Sequence, residues 1–198
     1  MSIQTSVAIL AGGKSSRMGT DKAFLEFAGQ PLVERVLARV EGLADEVVLV
    51  ANQPEAFFYL GLPLYTDIIP DRGPLGGIYT AVSSTHGEHT LVVAVDMPFL
   101  SRDLLAYLLS LRAGYDVVAP HLQKYPQGTH AVYGKACLEP IRRDVEAGHL
   151  KIIGFYDEVR VRYVDEDEMR PFDPALRSFV NVNTPDELSD ARRTPDGE

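Results

Sequence analysis

Short runs that are apolar throughout, or after their first residue, alternate here with stretches of helical spacing, and this limits the possible folds more than any other feature. Ser6-Val7-Ala8-Ile9-Leu10, Glu46-Val47-Val48-Leu49-Val50 and Leu91-Val92-Val93-Ala94-Val95 lack polar alternation. Each therefore reads as a strand covered on both faces. Leu32, Val33, Val36, Leu37 and Val40 recur at helical spacing behind Pro31, which suits a first helical turn. Leu62 to Asp67 reads as a shorter third strand, and Gly73-Pro74-Leu75-Gly76-Gly77-Ile78 opens a helix ending near Ser84. Ser101 and Asp103 cap a helix carrying Leu104, Leu105, Leu108 and Leu111. Asp116-Val117-Val118-Ala119 reads as another strand, broken by Pro120.

This rhythm predicts an α/β fold: a mostly parallel sheet with right-handed crossovers between helical layers, a three-layer α/β/α sandwich of Rossmann-like type. Past residue 120 the rhythm loosens. Ala131-Val132-Tyr133 reads as a strand, Lys135 to Glu146 as a helix and Val159 to Val164 as a strand, with a helix start at Asn183-Thr184-Pro185. No repeat or linker interrupts the 198 residues, so the expectation is one domain over 1–198 with a frayed polar tail at 191–198.

Charge narrows the partners. The 19 Lys+Arg against 28 Asp+Glu leave a formal net charge of −9, which argues against general nucleic-acid or anionic-membrane binding. The N-terminus has neither the basic segment nor the long apolar run of a signal peptide, and no stretch is long enough to span a bilayer. A cytoplasmic protein is expected. Cys137 is the sole cysteine, which excludes an internal disulfide and a cysteine-cluster metal site; it reads as a small buried apolar residue.

In an open parallel sheet, ligands sit beyond the carboxyl ends of the strands, so the residues following each strand carry the functional signal. The first such loop, Leu10-Ala11-Gly12-Gly13-Lys14-Ser15-Ser16-Arg17-Met18-Gly19-Thr20-Asp21-Lys22, combines glycines with cations. Glycines let the backbone approach a polyphosphate and aim N–H groups at its oxygens, while Arg17 and Lys22 would neutralise charge. A solvated glycine-rich turn is the alternative. The loop is not a Walker A sequence, because Ala8 stands where the leading glycine belongs, and the glycines at 12, 13 and 19 do not fit G-x-G-x-x-G. Asp96 follows the fourth strand and precedes Met97-Pro98. Alone it could be a turn aspartate, but on the same sheet edge as the glycine loop it is placed to hold Mg²⁺ together with phosphate oxygens.

The first loop resembles the nucleotide-binding loop of the nucleoside-triphosphate transferase-like superfamily. With Asp67, Gly73-Pro74-Leu75-Gly76-Gly77-Ile78, Asp96-Met97-Pro98-Phe99 and Phe179-Val180-Asn181-Val182-Asn183-Thr184-Pro185 in this order, residues 6–190 resemble the molybdenum cofactor guanylyltransferase (MobA) family. The resemblance implies a nucleotidyltransferase fold and transfer of GMP from GTP to the terminal phosphate of molybdenum-bearing molybdopterin, releasing pyrophosphate. It implies GTP contacts at Leu10, Ala11, Gly12, Gly13, Lys22, Asp67 and Asp96, with Mg²⁺ on Asp96. Residues 1–120 would then be the nucleotide-binding half and 121–190 the acceptor-side half. A molybdenum insertion protein and molybdoenzyme chaperones are implied as partners. In one departure, Val50 stands at the end of the second strand where some relatives carry asparagine, so no nucleotide contact is carried over there.

Such a reaction needs no Ser, Cys or His nucleophile, because the attacking phosphate oxygen comes with the substrate. Aligning the attacker and stabilising charge around the α-phosphorus suffice, a task suited to Lys22, Arg17 and Asp96. Asp67 suits base selection, since a carboxylate accepts from guanine N1–H and N2–H₂. Asn181 and Asn183 are read at the acceptor side, against the alternative that Asn183 merely caps a helix. Arg72 and Gln127-Gly128-Thr129-His130 are candidates for the same cleft. Asp165-Glu166-Asp167-Glu168 reads as a solvated acidic turn, and the scattered histidines do not suggest zinc. Two other readings stay open: a sister enzyme using CTP or acting on a sugar phosphate, and a non-catalytic nucleotide sensor.

Overall fold

In the computed structural model, which describes residues 4–12, 22–182 and 187, β1 (Thr5–Leu10) lies in the interior of the main sheet. It runs parallel to β4 (Glu46–Val50) on one side and β6 (His89–Ala94) on the other. Burial on both faces explains the unbroken apolar pattern. Val7 and Ile9 point into a core with α1 (Leu32–Val40) and α3 (Arg102–Ser110). Ala8 and Leu10 point into a second core with α2 (Gly73–Ser84) and α4 (Leu138–Ala147). The three layers expected from the sequence are therefore present.

The sheet continues outward from β4 to β5 (Leu64–Tyr65), also parallel, so the third strand is shorter than the expected span of Leu62 to Asp67. Beyond β6 the direction reverses. β9 (His130–Gly134) runs antiparallel to β6 and to β7 (Val117–Leu122), and β7 pairs in parallel with β10 (Val161–Asp165) at the far edge. Two small pieces had no sequence signal: the ribbon of β2 (Glu26–Phe27) with β3 (Gln30–Pro31), and β8 (Tyr125–Pro126) against β7.

Pro120 does not break its strand. Its carbonyl accepts from Gln127 N–H at 2.8 Å, on the side away from β10, while Pro120 keeps its register with Val164. A residue's N and C=O face the same side of a strand, so the missing N–H falls where pairing with β9 has already ended at Val118. The expected cap holds: Ser101 Oγ accepts from Leu104 N–H at 3.3 Å. The acidic quartet begins at the end of β10 and continues into α5 (Glu166–Met169), with Glu166 paired to Arg170 and Glu168 to Arg162. Cys137 is buried, and burial pushes its thiol up to about 12, so it is an inert apolar filler as expected.

Candidate functional site

The register of the parallel strands builds the site. Tyr65 pairs with Val50, Val50 with Leu10 and Leu10 with Ala94, so four strands stop level. The backbone extends this row by one residue, with Ala11 N–H donating to Val50 O, Ala51 N–H to Tyr65 O and Val95 N–H to Leu10 O, all at 2.9–3.0 Å. The next residues of each loop therefore emerge side by side and line a cleft of about 810 Å³. Its near side holds Leu10, Ala11, Gly12, Asn52 and Asp67, with Gly73, Pro74 and Gly77 from the start of α2. Lys22, Asp96 and Asn181 line it as well.

Local chemistry sets α2 against this row. Asp71 and Gly73 both adopt left-handed backbone, at φ 59° each, which glycine accepts freely and which turns the chain sharply into the helix. Thr80 Oγ1 donates to Gly76 O and accepts from Ile68 N–H, both at 3.0 Å, fastening the Asp67 loop to α2.

Asp67 is half-buried. Burial raises its pKa, and a hydrogen bond from Asn52 works in the opposite direction. Asn52 is a cleft residue to which the sequence reading gave no role. It stands two residues beyond Val50, yet its side chain reaches both Asp67 and Gly12, whose added Cβ would lie 3.5 Å from Asn52 Nδ2. The level strand ends bring it in, and no sequence spacing states that.

Asp96 is also half-buried, and burial pushes its carboxyl above the usual carboxylate range while the Lys22 ammonium pulls it back. Its Oδ1 is buried and has no hydrogen-bond partner among the described residues. A half-buried carboxylate that lines the cleft, with one oxygen lacking a partner and a cationic side chain nearby, suits a hard divalent cation completed by phosphate oxygens. No group of three or more His, Cys, Asp or Glu residues able to hold a metal occurs among the described residues, so protein ligands alone would not close such a site.

The far side of the cleft comes from β9 and its neighbours. Val93 pairs with His130, so Thr129, just before β9, lies beside the carboxyl end of β6 and lines the cleft with Leu150 and Ile152. Gly128 makes this wall possible, because a Cβ there would meet Ile152 Cγ2 at 2.2 Å. The Tyr133 hydroxyl donates to Gly128 O at 2.6 Å and lies 3.0 Å from the Tyr156 hydroxyl, clamping the same turn. Of the other candidates, Arg72, Gln127, Gly128 and His130 do not line the cleft: His130 is fully buried against Phe179, and Arg72 stands between the lining residues Asp71 and Gly73. Gly13, Arg17, Asn183 and the tail at 191–198 lie outside the described residues.

A family profile described as "MobA-like NTP transferase domain" matches residues 7–159. The chain belongs to the MobA-like NTP transferase family. A "Probable molybdenum cofactor guanylyltransferase" from Pelotomaculum thermopropionicum is 38% identical over 190 residues, covering 96% of this chain and 93% of that one. A "Molybdenum cofactor guanylyltransferase" from Desulfosudis oleivorans is 36% identical over 185 residues, 92% of each chain. Among solved structures, molybdopterin-guanine dinucleotide biosynthesis protein A from Archaeoglobus fulgidus superposes with a TM-score of 0.82 at 29% identity, covering 95% of this chain and 97% of that one. The synthase of 4-diphosphocytidyl-2C-methyl-D-erythritol from Anaerococcus prevotii shares the fold of this MobA-like chain at a TM-score of 0.72, with 14% identity. No helix among the described residues is long and apolar enough to cross a membrane.

Proposed function

We propose that this MobA-like protein transfers GMP from GTP to molybdenum-bearing molybdopterin in the cytoplasm, where GTP is available. The terminal phosphate oxygen of molybdopterin forms a bond to the α-phosphorus of GTP, the bond from that phosphorus to the bridging oxygen breaks, and pyrophosphate leaves with the electron pair. The observation that carries this reading is the level row of strand ends, which brings Gly12, Asp67 and Asp96 to one cleft that Lys22 also lines. Curated relatives 38% and 33% identical to this chain are named "Probable molybdenum cofactor guanylyltransferase".

Asp96 would hold Mg²⁺, which when bound neutralises the triphosphate and the developing pyrophosphate. Lys22 supplies a fixed cation on the same cleft. Gly12 presents backbone free of a side chain to the phosphates, and Asp67, oriented by Asn52, accepts from guanine N1–H and N2–H₂. The apolar Leu150 and Ile152 wall with Thr129 faces the acceptor, and Asn181 stands on that side with them. Residues 1–120 supply the nucleotide side and 121–190 most of the acceptor side.

Each nucleoside triphosphate is incubated with the protein, Mg²⁺ and molybdenum-bearing molybdopterin, and pyrophosphate release is measured. GTP alone should support release. Release with CTP instead would move the assignment to a cytidylyltransferase, and tight GTP binding without release would make the protein a sensor. Asp67→Asn should cut the GTP-over-ATP preference about tenfold or more, the effect of losing one matched polar contact. An unchanged preference removes Asp67 from base selection.

A further inference from the structure

The level strand ends bring Asp96 to the cleft but do not hold the turn that carries it. Residues 96–101 run irregularly between β6 and α3, and a strap from near the end of the described chain, residues 173–182, grips them. Asp173, only 7% exposed, accepts from the backbone N–H groups of Arg177 at 3.0 Å and Ser178 at 2.8 Å. This fastens the 3₁₀ turn Arg177–Phe179. The turn sets the Arg177 guanidinium 3.9 Å from the centre of the Phe99 ring. Ser178 Oγ accepts from Ser101 N–H at 2.8 Å and reaches Phe99 O at 3.4 Å. The strap ends with Val182 N–H donating to Asp96 O at 2.9 Å, one residue after Asn181 enters the cleft. From α1, Arg35 Nε donates to Pro98 O at 2.7 Å.

Asp173, Arg177 and Ser178 do not line the cleft themselves. Asp96 Oδ1 has no hydrogen-bond partner among the described residues, so the aim of the carboxylate is inherited from its backbone. We propose that Asp173, Arg177 and Ser178 are positioning residues that aim the Asp96 carboxylate and hold Asn181 beside it, so that the far strap sets the cation affinity of the cleft. The inference rests on the cation site proposed at Asp96. Its rival is a purely structural strap that covers core surface through Phe179 on His130, next to Phe172 on Tyr107.

The test uses the full chain with Arg177→Ala and, separately, Ser178→Ala. Arg177→Ala leaves both Asp173 hydrogen bonds intact, because they go to backbone, so it reports even if Ser178→Ala fails to fold. Mn²⁺ binding in the presence of GTP is read by electron paramagnetic resonance, and GTP binding without metal by calorimetry. Each variant should weaken Mn²⁺ about tenfold, the loss of one well-placed contact, while metal-free GTP affinity stays within about twofold. Pyrophosphate release should fall at low Mg²⁺ and recover at high Mg²⁺. On an Asp96→Asn background, adding Arg177→Ala should no longer change Mn²⁺ affinity. A fall in thermal stability with unchanged Mn²⁺ affinity overturns the proposal in favour of the structural strap, and so does an Arg177→Ala effect that persists without the Asp96 carboxylate. A wild-type protein that binds Mn²⁺ with GTP but transfers no GMP refutes the proposed reaction and leaves this inference to be decided by the metal measurements. A wild-type protein that binds no Mn²⁺ with GTP overturns it.

Discussion

On one side of the cleft, β5, β4, β1 and β6 run in the same direction and stop level, and the site residues are whatever follows each of them. On the other, β9 runs backwards, so its contribution, Thr129, precedes a strand, and Leu150, Ile152 and Asn181 arrive on loops. The near side is therefore held by main-chain pairing, which tolerates many side chains. The far side depends on individual contacts: Gly128 against Ile152, Tyr133 on Gly128, and the strap on the Asp96 turn. The two sides should fail in different ways when altered.

The largest effect is expected where the sides meet. Asp96→Ala should lower turnover about 10³-fold or more, equivalent to about 4 kcal/mol of barrier, with the fold intact by circular dichroism. Because burial raises the Asp96 pKa, metal binding should fade on acidification above the ordinary carboxylate range. Lys22→Met, which removes the opposing charge, should move that acid limb to higher pH in Mn²⁺ titrations. A limb unmoved by Lys22→Met would show that the near-side cation does not act on Asp96.

The reversed strand carries a second signature. Burial pushes the His130 imidazole from its ordinary 6.5 down to about 4, against the opposing pull of Asp173 and the Ser178 backbone. Between these values the unfolded chain binds a proton that the folded chain refuses. The stabilising contribution is therefore complete above pH 6.5 and declines as pH falls towards 4. His130→Leu should remove this dependence, changing the stability difference from wild type by about 3 kcal/mol across the window, as read by urea melts. A difference independent of pH would mean that this end of β9 opens to solvent.

Gly128→Ala comes next. Its Cβ would collide with Ile152, so the 149–154 loop must shift, at about 1–3 kcal/mol of stability. KM for the acceptor should rise while GTP affinity is kept, as steady-state kinetics with each substrate varied would show. Equal losses for both substrates would break the division of the cleft into two sides.

The contrast also explains what could be read in advance. β1, β4 and β6 announce themselves because strands buried on both faces have no polar alternation, and Gly12, Asp67 and Asp96 follow from standing just behind strands. Ala131-Val132-Tyr133 reads the same whichever way the strand runs, so the reversed direction of β9 was invisible, although Thr129 is among the residues offered for the cleft and does line it. Pro120 misleads because a missing N–H ends a strand only where that N–H was needed. Asn52 escaped notice because its partner Asp67 belongs to another loop, and the strap because its contacts join residues about 80 positions apart.

The hairpin leading into β9 turns through left-handed Gln123 and Lys124, with Tyr125 72% exposed beside them. Both of its ends are anchored in the sheet while its tip is free of the core, so residues can be added there without disturbing any strand that shapes the near side of the cleft. The molecule thus has one jaw fixed by strand pairing and one assembled from loops, and only the second tolerates added length nearby.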